Sequence, residues 1–231
     1  MAQRAGFEKH ASRKRHGGSN PSPTALLMNE RAAQIVKELK RLFPKTTTAL
    51  KYSNPWKLLV AVILSAQCTD KVVNIVTEKL FKKYPTLDDY VKANPTEFER
   101  DIKSTGFYRN KTKNILAAAK IIKEVYKGKI PDNMPDLLGL PGIARKSANI
   151  IIYLVYGKIE GIAVDTHVRR LSKLYGLTDE TDPVKIEQDL MKTLPKKEWM
   201  DFTFRMVDYG RKYCPAKKHD HANCPLVKTL S

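Results

Sequence analysis

From Asn29 onward, apolar residues return every three or four positions with almost no break. That spacing keeps one face of an α-helix dry, and the two-residue alternation of a half-buried strand is missing. Asn29 predicts a helix cap before Ile35, Val36, Leu39 and Leu42, with Pro44 ending the helix. Asn54-Pro55 starts a second helix, and Leu58–Ser65 is apolar nearly all round, as a buried helix is. Thr69 opens a third. Further helices are predicted near 86–93, 96–103, 109–127, 135–140, 143–156, 165–176, 182–193 and 196–212. The run Ile150–Val155 could pass for a strand, but it continues from Ala144 without a break and is read as helix. The expected class is all-α. No stretch is apolar and long enough to span a bilayer.

Charge narrows the partner. Lys and Arg total 42 against 24 Asp and Glu, a formal charge of +18. Such a chain repels itself unless it meets an acidic partner, and nucleic acid leads, with an anionic membrane surface as rival. Three cysteines, Cys68, Cys214 and Cys224, make no disulfide scaffold and suit a reducing compartment. The first residues are basic without an apolar run, so no secretory signal is expected. Residues 1–27, rich in Ser, Gly and Pro among basic residues, read as a disordered basic tail.

The segment 137–148, Leu-Leu-Gly-Leu-Pro-Gly-Ile-Ala-Arg-Lys-Ser-Ala, reads as helix, tight turn, helix. Leu140 and Ile143 clamp the turn into the core, and Gly142 lets backbone approach another molecule. The first amides of the new helix have no internal partners, which suits a phosphate. Arg145 and Lys146 follow at once. Two cations there oppose the helix dipole, so a stable fold gains nothing from them while an anion site does.

The stretch 138–149, with Ala163-Val164-Asp165-Thr166-His167-Val168 after it, resembles the endonuclease III branch of the helix-hairpin-helix DNA glycosylases. Leu64-Ser65-Ala66-Gln67 and Gly106-Phe107-Tyr108 extend the likeness over about 29–213. The resemblance implies two helical lobes with a cleft between them: 48–158 as a bundle ending in the hairpin, and 28–47 joined to 159–231. It implies a monomer that works on double-stranded DNA carrying damaged bases or abasic sites. The cytoplasm, beside the nucleoid, is its expected place. The implied activity is removal of oxidised or damaged pyrimidines followed by β-elimination at the abasic site. Lys146 matches the family's nucleophile and Asp165 its catalytic carboxylate. An amine is needed because it remains as a Schiff base, an electron sink for the elimination. From local pattern alone, Asp165 reads first as a helix N-cap, a role compatible with catalysis because one oxygen can cap while the other faces the cleft.

Reaching C1′ requires the nucleotide to leave the stack. By resemblance Gln67 meets the orphaned partner base and Phe107 wedges between base steps. Leu140, Gly142, Ala144, Arg145 and Lys111 are the remaining expected DNA contacts. The alternatives are a related glycosylase for another damaged or mismatched base, and a non-catalytic helix-hairpin-helix DNA-binding protein.

Most members of the family end in four cysteines that hold a [4Fe-4S] cluster. Here the corresponding positions are Cys214, His221, Cys224 and Leu230, which leaves two thiols. The expectation is therefore no cofactor and a metal-free loop. Cys214, His219, His221 and Cys224 stand as an alternative set of zinc ligands.

Overall fold

The computed structural model describes residues 23–230, and these form twelve α-helices with no strand among them. The greater part of the expected tail, residues 1–22, lies outside the described residues. Helix α1 spans Pro23–Leu42, so Asn29 lies inside it rather than at its start. Most other starts follow their caps. Asn54 accepts from the Lys57 amide and begins α2 (Pro55–Leu64). Thr69 accepts from Val72 and begins α3 (Asp70–Lys83). Thr86 and Asp89 form a reciprocal capping box at α4 (Leu87–Lys92), and Asn94 caps α5 (Pro95–Ile102).

The first lobe is built around α2, whose residues Leu58–Leu64 are all buried. A helix apolar on every side has no solvent face to offer, so it takes the centre. Helices α3, α6 (Tyr108–Glu124) and α8 (Arg145–Tyr156) pack on it, while α4 and α5 lie against α6. The short α7 (Met134–Leu138) turns back onto α8 to make the hairpin.

The second lobe has its own core. Ala32, Ile35 and Leu39 of α1 meet Leu171 of α9 (Thr166–Leu174), Ile186 and Leu190 of α10 (Pro183–Thr193) and Tyr209 of α11 (Trp199–Lys212). A last helix, α12 (Pro225–Leu230), closes over α1 through Leu226. Sequence reasoning missed α12, which is too short to show a period.

Two features fix one lobe against the other. Helix α11 belongs to both cores, giving Met200 and Phe204 to the first and Phe202, Met206 and Tyr209 to the second. The Glu187 carboxylate on α10 is almost fully buried. It receives the Arg145 guanidinium (2.5 and 3.2 Å), the Asn149 amide (3.0 Å) and the Ile162 backbone N–H (3.2 Å). A buried carboxylate is tolerable only with its lone pairs filled in this way. The approach is so close that a Cβ on Gly161 would meet Glu187 Oε1 at 2.0 Å.

Candidate active site

Between the lobes lies an open cleft of about 900 Å³. Its wall includes Gln67 and Lys71 from the first lobe, Lys146 from the hairpin helix, and Asp165 and His167 from the start of α9. A narrow recess of about 90 Å³ opens behind it, and Lys146 and Asp165 line that as well, with Ile150, Thr203 and Asp208. The structure thus brings the amine and the acid to one cleft from two helix starts in different lobes.

Local chemistry sets each of them. Helix α8 begins after Ala144, which is extended (φ −101°, ψ 169°) and offers no side-chain cap. The opening amides of α8 therefore remain free for an outside acceptor. Because its φ is negative, alanine at this position carries no backbone strain, although it is extended rather than helical. Gly142 does need to be glycine, with φ at +82° and its missing Cβ 3.0 Å from Asn114. Asp165 caps α9, its Oδ1 accepting from the Val168 amide at 2.8 Å. Its other oxygen takes no hydrogen bond from the described residues. Beside it, burial holds the His167 imidazole below its ordinary pKa; nearby Arg211 and Arg170 push the same way while Asp165 opposes them.

Of the expected phosphate contacts, one is turned inward and another is already paired with a carboxylate. Lys111 is buried, and its Nζ donates to the carbonyls of Leu64 (2.8 Å) and Thr105 (2.7 Å). Burial lowers its pKa. The amine ties together the two loops that carry Gln67 and Phe107, and it has no reach to a phosphate. Arg145 is likewise committed to Glu187, which raises its pKa. Leu140 is buried, so its side chain anchors the turn, and its backbone is bonded within the turn to Leu137 and Ile143.

Gln67 and Phe107 are both exposed and both hold left-handed backbone, at φ +52° and +47°. Such conformations are costly for residues with a Cβ and persist only where surrounding structure enforces them. Phe107 is 65% exposed directly after Gly106, an apolar ring standing free of the core. Sequence reasoning missed the Arg211–Asp70 ion pair (2.6 Å), which joins α11 to the start of α3 along the cleft. No motif marks two side chains 141 residues apart as partners.

The expectation of a loop without a metal site is overturned. The side chains of Cys214, His219, His221 and Cys224 converge, with one ligand atom from each lying within 4.8 Å of all the others. Both thiols are buried and neither is in a disulfide. Two sulfurs and two imidazoles gathered this closely form a donor set that fits a metal.

A cleft between two helical lobes, with a helix-hairpin-helix at its edge, defines a class. The family model for HhH-GPD superfamily base excision DNA repair proteins matches residues 60–196. Endonuclease III of Synechocystis sp. is 47% identical over 198 residues, covering 86% of this chain and 90% of its own. Endonuclease III of Bacillus subtilis is 44% identical over 187 residues, covering 80% and 85%. A non-covalent endonuclease III–DNA complex superimposes with a TM-score of 0.82 at 40% identity, covering 87% of this chain and 94% of that one. A trapped endonuclease III–DNA covalent intermediate matches to the same extent. The chain belongs to the endonuclease III family. Among the described residues no helix is long and apolar enough to cross a membrane.

Proposed function

We propose that this protein is a bifunctional DNA glycosylase and abasic-site β-lyase of base excision repair, acting on oxidised or damaged pyrimidines in double-stranded DNA. The observation that carries this reading is the shared cleft: Lys146 and Asp165, from different lobes, line one cleft and one recess. In this reading the hairpin lobe, 48–158, supplies the amine and grips the DNA backbone, and the second lobe, 28–47 with 159 onward, supplies the acid. The enzyme works as a monomer in the cytoplasm, beside the nucleoid.

The reaction follows from the groups present. Lys146 Nζ attacks C1′ of the extruded nucleotide, and the damaged base departs with the bonding electrons and a proton. Asp165 stabilises the positive charge that develops on the sugar. Ring opening gives an imine between Lys146 and C1′, which accepts electrons as the C2′ proton leaves and the 3′ phosphate is eliminated. Water then hydrolyses the imine and frees the amine. Gln67 and Phe107 fill the gap left in the stack. The open amides around Gly142 and Ala144 hold a phosphate without reading sequence.

Borohydride reduces such an imine to a stable secondary amine. Incubation with an oligonucleotide bearing an oxidised pyrimidine should give a covalent adduct that Lys146→Ala abolishes. Asp165→Asn should slow turnover by on the order of 10²-fold or more while DNA affinity stays close to that of the parent. Strand cleavage by Lys146→Ala at the parent's rate would remove the nucleophile assignment. Binding without adduct or cleavage on damaged and abasic DNA would favour a non-catalytic binder.

A further inference from the structure

We infer that Cys214, His219, His221 and Cys224 bind one tetrahedral metal ion of the zinc type. Each iron of a four-iron cluster takes its own thiolate, so the ligands of such a cluster stand further apart than ligands sharing one ion. In this protein the ligand atoms are close. Cys214 Sγ lies 3.6 Å from His221 Nδ1, and Cys224 Sγ lies 3.4 Å from His219 Nε2. Bonds of 2.3 Å to sulfur and 2.0–2.1 Å to nitrogen put tetrahedral ligands roughly 3.3–3.8 Å apart, the spacing seen in both pairs.

The surroundings orient the donors. The Nδ1–H of His219 donates to the Lys217 carbonyl at 2.9 Å. That bond fixes the tautomer and leaves the Nε2 lone pair facing the thiols, as a second partner does for a metal-bound imidazole. The His219 and His221 rings stand nearly perpendicular, at 88°, so both fit around one centre. His221 is backed by the Tyr175 ring, with centroids 5.9 Å apart. The guanidinium of Arg170 reaches both the sulfur and the carbonyl of Cys214. Two thiolates and two neutral imidazoles cancel the charge of a divalent ion, leaving a neutral buried centre.

The site's work is structural. Arg170 belongs to α9, the helix that Asp165 caps, and Cys224 directly precedes α12. A metal at this point staples the 214–224 loop and α12 against the base of α9.

The test is elemental analysis of the full chain purified without added metal, with cobalt(II) exchange as a spectroscopic probe. About one zinc per chain is expected, and cobalt should give the absorption of a tetrahedral thiolate complex. Chelator should lower Tm. His219→Ala, a half-exposed position less damaging to the core than either cysteine, should lose the cobalt spectrum and most of the zinc. Lys146→Ala should keep both, so a failure of the catalytic assignment leaves this result untouched. Iron with inorganic sulfide in place of zinc would overturn the proposal. Metal at background level with no cobalt spectrum would do the same.

Discussion

Single residues in this protein are held by requirements that their neighbours impose. Gly142 shows this most simply. Its φ of +82° is in the region a side chain resists, and a Cβ would press on Asn114 at 3.0 Å. Gly142→Ala should therefore cost about 1–2 kcal/mol from backbone strain alone, a fall in Tm of about 2–8 °C. Thermal melts with DNA-binding measurements would check it. A variant as stable as the parent would mean that the turn relaxes around the new methyl. Residue type and spacing made the turn legible and singled out Lys146 and Asp165, which both line the cleft. The direction in which a cation points was not. Lys111 and Arg145 read as free surface charge, because burial and pairing with Glu187 depend on segments far away in sequence. The same limit left Cys214, His219, His221 and Cys224 as an alternative donor set and no more. Spacing alone could not tell that His219 and His221 turn their rings toward one centre.

At the scale of elements, helix starts were readable wherever a side chain caps its own helix, as Asn54, Thr69 and Asp165 do. The signal failed at Asn29, which sits within α1. It failed again at α12, where the Leu226 amide donates to the Tyr209 hydroxyl, a contact no local pattern announces. The loops carrying Gln67 and Phe107 are joined through one buried amine. Lys111→Met should leave two buried carbonyls unpaired, at about 1–3 kcal/mol each. It should weaken insertion into DNA and leave the salt dependence of binding unchanged. If Lys111 touches a phosphate instead, the slope of log affinity against log salt falls by about one.

For the whole molecule, the formal charge of +18 is the quantity that governs encounter with DNA. Each neutralised phosphate releases a counterion. A footprint of about six phosphates should lose on the order of 10³-fold in affinity between about 50 and 200 mM salt. Titrations across that range on undamaged duplex would measure it. A nearly flat response would mean that contacts other than phosphate dominate.

Helix α1 comes early in the chain, yet its partners are α10, α11 and α12. On the ribosome, the segment that forms the first lobe emerges in between and has its own core to collapse around. Throughout that interval Ala32, Ile35 and Leu39 lack the second-lobe core they pack into, and a helix in a protein draws most of its stability from such packing of its apolar face. The acid-bearing half of the cleft is thus completed after the hairpin half during synthesis. A nascent chain stalled before α11 would carry the hairpin and its lysine with no finished wall to face.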